Sequence, residues 1–207
     1  MNLPKVKVCG MREPENIREA EALGIDLMGF IFWPKSSRYV SERPAYLPTK
    51  CQRVGVFVDE SIEGVRAKAL DFGLDFIQLH GKESPAYVAE LSDLRIIKAF
   101  NIACADDFTA CAPYEHLVDF FLFDAKGKSV GGNGIAFDWS VLKAYHGQTP
   151  FLLSGGIGPG DAARIHAIRH PRFAGIDLNS RFELSPALKD ITALRQFLNE
   201  LNRSNSL

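Results

Sequence analysis

Arg53-Val54-Gly55-Val56-Phe57-Val58, then Asp59-Glu60-Ser61-Ile62-Glu63-Gly64-Val65, and on to Phe76-Ile77-Gln78-Leu79: this stretch carries one whole repeat of the chain's pattern. The first and last segments are short apolar runs rich in β-branched and aromatic residues, the composition of strands. Between them the period changes. Ser61 has the side chain of an N-cap, and Ile62, Val65, Ala69 and Leu70 are expected along one inward face of the helix that follows. A strand, a helix and a second strand make a βαβ unit, whose strands are parallel.

The same alternation runs outward in both directions. Strands are expected at Lys5–Cys9, Leu27–Phe32, Arg53–Val58, Phe76–Leu79, Arg95–Phe100, Phe120–Asp124, Pro150–Ser154 and Ala174–Leu178. Ser84-Pro85 gives a cap followed by proline at the first helical position. Pro159 is expected to open a helix with Ala162, Ile165 and Ile168 inward. Leu188, Ile191, Leu194, Phe197, Leu198 and Leu201 form the stripe of a last helix. Between the second and third strands, Pro44 and Pro48 leave room for a turn or two at most. Eight units in 207 residues allow about 26 residues each, enough for a short strand, a helix and two loops. The expectation is a single-domain (β/α)8 TIM barrel over residues 1–207. An open doubly wound sheet would place Gly-x-Gly-x-x-Gly after its first strand, where this chain has Cys9-Gly10-Met11-Arg12.

Composition narrows the function. Apolar residues make up 46% of the chain, which excludes general disorder. With 24 basic and 25 acidic residues the net charge is −1, so no overall positive field draws in nucleic acid or an anionic membrane. No apolar run approaches the ~20 residues of a membrane-spanning helix, and the N-terminus has no signal-peptide pattern. Cys9, Cys51, Cys104 and Cys111 form neither a Cys-x-x-Cys motif nor a zinc spacing. A cytoplasmic protein with reduced thiols is expected.

In a barrel of this kind the working face lies at the C-terminal strand ends. Cys9 ends the first strand, either as a small buried apolar residue or as a reactive thiol. Asp124 ends an aromatic sixth strand ahead of a long glycine-rich loop containing Gly131-Gly132-Asn133-Gly134. Ser154-Gly155-Gly156 ends the seventh strand, and Gly175-Ile176-Asp177-Leu178-Asn179-Ser180 the eighth. Loops at those two positions are the usual phosphate cradle of the fold. Arg38, in the loop after the second strand, has the planar fork that grips a carboxylate. Gln78, His80 and Glu83 gather at the end of the fourth strand.

Lys5-Val6-Lys7-Val8-Cys9-Gly10-Met11, Pro34-Lys35-Ser36-Ser37-Arg38, Val54-Gly55-Val56-Phe57-Val58, Gln78-Leu79-His80-Gly81, Phe123-Asp124, Gly131-Gly132-Asn133-Gly134, Leu153-Ser154-Gly155-Gly156-Ile157 and Gly175-Ile176-Asp177 occur in this order over nearly the whole chain. Together they resemble the phosphoribosylanthranilate isomerase family of tryptophan biosynthesis. The resemblance implies a one-domain barrel with neither metal nor organic cofactor, acting on a small phosphosugar-anthranilate as a monomer or weak homodimer. The implied reaction is an Amadori rearrangement of N-(5-phosphoribosyl)anthranilate to 1-(2-carboxyphenylamino)-1-deoxyribulose 5-phosphate. It also implies Cys9 as general base, Asp124 as general acid and Arg38 as partner of the anthranilate carboxylate. Gly132, Gly134, Gly155, Gly156, Asn179, Ser180 and Arg181 fall on the implied phosphate loops, and His80 and Asp177 face the substrate.

The chain departs from the family where Arg181 and Ala187 stand at usual glycines. A glycine at 181 implies a positive φ there, with Arg181 instead reaching over the site. For acid–base work near neutrality, the Cys9 thiol is expected to shift down, or to lose its proton on binding, and the Asp124 carboxyl to shift up. Two other readings remain: the phosphosugar isomerase of histidine biosynthesis, whose barrel has an acid at the end of its first strand, and a non-catalytic phosphosugar-binding barrel.

Overall fold

The computed structural model describes residues 3–125 and 139–203. In chain order it contains β1 (Lys5–Cys9), α1 (Pro14–Glu21), β2 (Leu27–Ile31), β3 (Gln52–Phe57), α2 (Ile62–Phe72), β4 (Phe76–Leu79), α3 (Pro85–Ala89), β5 (Ile96–Ile102), β6 (Phe120–Ala125), β7 (Phe151–Ser154), α4 (Ala162–His166), β8 (Phe173–Leu178), β9 (Glu183–Ser185), β10 (Leu188–Lys189) and α5 (Ile191–Arg203). Single 3-10 stretches, Ala105–Tyr114 and Trp139–Ala144, flank β6. The first eight strands are parallel and close into a barrel, with β8 returning to β1. No described helix is long and apolar enough to cross a membrane.

Alternation along each strand sorts the side chains. Leu27, Val54, Phe76, Ile97, Ala99, Leu122 and Leu152 form one buried cluster, the filling of the barrel. Their neighbours along the strands, such as Met28, Ile77, Phe121 and Leu153, join the larger cluster between sheet and helices. Past the filling, the same inward rows end in polar groups at the mouth.

The opposite rim carries a repeated device. Asp26, Asp75 and Asp119 each stand one residue before an even-numbered strand. Each carboxylate accepts a backbone N–H of the preceding strand: Val6 at 2.8 Å, Arg53 at 2.7 Å and Ile96 at 2.8 Å. Each aspartate also donates its own N–H to the carbonyl of that same residue, at 2.9 Å. Two bonds per clasp satisfy strand ends that would otherwise depend on water.

The helix signals stand with three corrections. Ser61 accepts from the Gly64 N–H at 3.0 Å and Ser84 from the Tyr87 N–H at 3.2 Å. However, Leu70 is 87% exposed, while Val65 and Phe72 are buried. Ile62, Val65, Ala69 and Phe72 follow the 3–4 spacing of one face, and Leu70 lies about a third of a turn off its centre. Pro159 does not open a helix; α4 begins at Ala162. Leu188 belongs to β10, not to the last helix, because the chain first makes an antiparallel hairpin with β9. Pro186 and Ala187 form its turn, and Ala187 has φ 68°. Proline followed by a positive φ is the pattern of a type II turn, which favours glycine at the second position. The strain expected at Arg181 therefore falls on Ala187; Arg181 is not among the residues of positive φ.

Candidate active site

Cys9 ends β1 on its inward face and is buried. Its register partner on β2 is Gly29. A Cβ there would stand 2.6 Å from the Cys9 sulfur, so only glycine lets the thiol occupy this place. Gly10, at φ 79°, turns the chain away, and a side chain on it would collide with Arg38 Cδ at 2.7 Å. Arg38 thus lies directly over the end of β1.

Arg38 is held by Glu183. Its Nε donates to Oε1 at 2.8 Å and its Nη2 to Oε2 at 2.6 Å. Lys189, also buried, donates to Glu183 Oε1 at 2.6 Å and to Asn179 Oδ1 at 2.8 Å. One carboxylate therefore serves two cations beside the thiol. Burial by itself would raise the Glu183 carboxyl, but the bonds from Arg38 and Lys189 hold it below the usual range. Burial lowers the Lys189 ammonium despite Glu183. Asn179, expected on the phosphate loop, has its side-chain oxygen committed to Lys189.

Below Cys9 on the same face is Lys7, fully buried and in register with Asp177. Lys7 Nζ and Asp177 Oδ1 are 2.9 Å apart. Asp177 Oδ2 accepts from Ser154 Oγ at 3.3 Å. Lys7 stands two residues before Cys9 on the same buried face of β1, so its positive charge acts on the sulfur. Burial pulls the Lys7 ammonium down, but Asp177 and Cys9 together outweigh it and leave it above its ordinary value. For Cys9 the balance runs against a shift down, the first of the two courses expected from sequence. Burial pushes the thiol up, and Lys7 only partly offsets that.

Across the mouth, Asp124 is in register with Asn101 on β5 and Ser154 on β7. His80 Nε2 is 3.7 Å from Asp124 Oδ2, and both side chains are partly exposed. Gln78 approaches the other ring nitrogen of His80 at 3.0 Å. The Gln78 Oε1 is buried with no partner among the described residues. Glu83, read from sequence with His80, turns away and pairs with Lys98 at 3.1 Å.

Gly155 and Gly156 follow β7 with φ 95° and 70°. A Cβ on Gly156 would meet nothing within 4 Å, so its conformation and not its lack of bulk calls for glycine there. The exposed Arg181 side chain lies along this loop: a Cβ on Gly158 would be 3.2 Å from Arg181 Nε. Ser180 opens the short 3-10 turn Ser180–Phe182 beside it. Gly132 and Gly134 lie outside the described residues.

The strand ends thus gather Cys9, Arg38, Asp177 and Asn179 on one side and His80 with Asp124 on another. Sequence reasoning missed Lys7, Glu183 and Lys189. Lys7 had a signal, a lone lysine in an apolar strand two residues before Cys9 and hence on its face. Glu183 and Lys189 had none, because their hairpin was taken for the approach to a helix.

A family model described as N-(5'phosphoribosyl)anthranilate (PRA) isomerase matches residues 6–200. An N-(5'-phosphoribosyl)anthranilate isomerase of Phocaeicola vulgatus is 52% identical over 200 residues, covering 96% of this chain and 98% of that protein. The crystal structure of phosphoribosyl anthranilate isomerase from Thermotoga maritima superposes with a TM-score of 0.82 at 29% identity, covering 97% of this chain and all (100%) of the other. A phosphoribosyl anthranilate isomerase in complex with reduced 1-(o-carboxyphenylamino)-1-deoxyribulose 5-phosphate gives the same TM-score, 0.82, at 28% identity, covering 97% of this chain and 100% of that one.

Proposed function

The chain belongs to the N-(5'-phosphoribosyl)anthranilate isomerase family, and on that footing we propose that Cys9 and Asp124 are the general base and general acid of its rearrangement. It is an isomerase of tryptophan biosynthesis. Asp124 protonates the furanose ring oxygen, and the ring opens to an iminium. Cys9 then removes the proton from C2′ of the sugar, leaving an enolamine. The observation that carries this assignment is the placing of the thiol and the carboxylate at the ends of inward strand rows, Cys9 among three cations and Asp124 beside His80.

Arg38 binds the anthranilate carboxylate through the donors that Glu183 leaves unused; a guanidinium has five. Gly155, Gly156, Ser180 and Arg181, with Gly132 and Gly134, hold the phosphate, and His80 and Asp177 face the sugar. We infer action on this one small-molecule substrate as a monomer or weak homodimer in the cytoplasm.

The test is turnover of freshly made phosphoribosylanthranilate, followed by loss of its anthranilate-like fluorescence. Cys9→Ser and Asp124→Asn should each lower kcat by roughly 10²–10⁴-fold or more. Arg38→Ala should mainly raise KM. A near-normal kcat in Cys9→Ala removes the thiol as base.

A further inference from the structure

Cys9 presents a problem that its neighbours must solve. A base has to lose its proton, yet this thiol sits in a buried place that favours the neutral form. Four charged groups face it. Lys7 comes from β1, Asp177 from β8, Arg38 from the loop after β2 and Lys189 from β10. Arg38 and Lys189 are committed to Glu183, at 2.6 Å each. Lys7 shares the inward face of β1 with Cys9, two residues before it and fully buried, and is paired with Asp177 at 2.9 Å.

We propose that Lys7 is a positioning residue that governs the ionisation of Cys9, its positive charge being divided between the thiol on its own strand face and Asp177 beside it. An ammonium has three N–H donors on a single positive charge. While Asp177 is ionised, much of that charge is already neutralised, and a thiolate at Cys9 would be a second anion on one cation. Ser154 moderates the competition by donating to the far oxygen of Asp177 at 3.3 Å. Any event that weakens the hold of Asp177 turns Lys7 toward the sulfur and favours the thiolate. The catalytic weight of this arrangement rests on Cys9 being the base; the arrangement itself does not.

Two substitutions on one pair should therefore move Cys9 in opposite directions. Lys7→Met removes the cation and should raise the ionisation midpoint of Cys9 by about one pH unit or more. Asp177→Asn keeps the size and the cation but frees it from its rival, and should lower the midpoint by a similar amount. The measurement is an NMR titration of protein carrying β-13C cysteine, with the Cys9 signal identified by its loss in Cys9→Ser. Cys111, buried elsewhere, serves as an internal control that should not move. A merely structural pair would shift Cys9 the same way in both variants or in neither, and either result overturns the proposal. Should Lys7→Met fail to fold, Asp177→Asn decides alone, and an unchanged or raised midpoint sinks the idea. The pH profile of kcat/KM in Asp177→Asn separates this inference from the assignment of the base. If the Cys9 midpoint falls and the rate profile follows it, both stand. If the midpoint falls while the rate profile stays, Lys7 governs Cys9 but Cys9 is not the base.

Discussion

On the β4–β5 side of the barrel, Lys98 is buried against Glu83 at 3.1 Å; on the β8–β1 side, Lys7 is buried against Asp177 at 2.9 Å. The Lys98 ammonium also donates to the carbonyls of Gly81 at 2.8 Å, Leu79 at 3.2 Å and Ala99 at 3.3 Å. Glu83 in turn accepts the N–H groups of Asp59 and Gly81. Every donor there ends on main chain or on the paired carboxylate, and the loops after β3 and β4 are tied to β5. Among the described residues Lys7 makes no bond to main chain; it pairs with Asp177 and lies two residues before a titratable sulfur on the same face. Residue type and burial are nearly the same in the two pairs. What separates a clamp from a group available to chemistry is whether the backbone has used up its hydrogen bonds.

The largest effect that could break this contrast is in Lys98→Met. It leaves the Glu83 carboxylate buried without a cation, and should cost about 3–5 kcal/mol of stability, read from urea unfolding. A loss below ~1 kcal/mol would mean that Lys98 is no clamp. A smaller effect is expected on the other side, in Glu183→Gln. Two cations lose their shared anion, for roughly 2–3 kcal/mol at pH 7. Glu183 is held below the ordinary carboxylate value in the folded protein, chiefly by Arg38 and Lys189 working against burial. Its contribution is therefore present above the unfolded value, about 4.3, and is lost as pH falls through the lower folded value. The gap between the two proteins should close in acid; a gap unchanged at pH 3 would show that charge is not its origin. The smallest effect sharpens the picture of the hairpin carrying Lys189. Ala187→Gly relieves a positive φ at a buried alanine and should gain up to about 1 kcal/mol, reduced by the greater freedom of glycine in the unfolded chain. Thermal unfolding would detect it, and a lower Tm would rule out strain at the turn.

Much of this was legible in the residues. Short apolar runs rich in β-branched and aromatic residues marked each barrel strand to within a residue or two, because a strand buried on both faces has little choice of composition. Ser61 and Ser84 marked helix starts because a cap is a local bond. Cys9 and Asp124 could be placed at the mouth once the strands were counted. What escaped was whatever depends on residues far apart in sequence. Glu183 meets Arg38 across 145 positions, and nothing near either residue announces the other. The direction of the Cys9 shift failed for a related reason, since burial and Lys7 oppose each other and only their packed arrangement decides the balance. Leu188 and Leu70 misled because an apolar residue fits a helical count wherever it falls near one.

The aspartates at the closed rim also bear on how the sheet comes apart. Asp26, Asp75 and Asp119 join β1 to β2, β3 to β4 and β5 to β6, and no equivalent joins β2 to β3 or β4 to β5 at that rim among the described residues. Six of the eight strands are thus clasped into three doublets, with a stronger seam inside each pair than between pairs. When thermal fluctuation breathes the lower edge open, amide protons should exchange in two-strand blocks, as staves leave a cask in pairs.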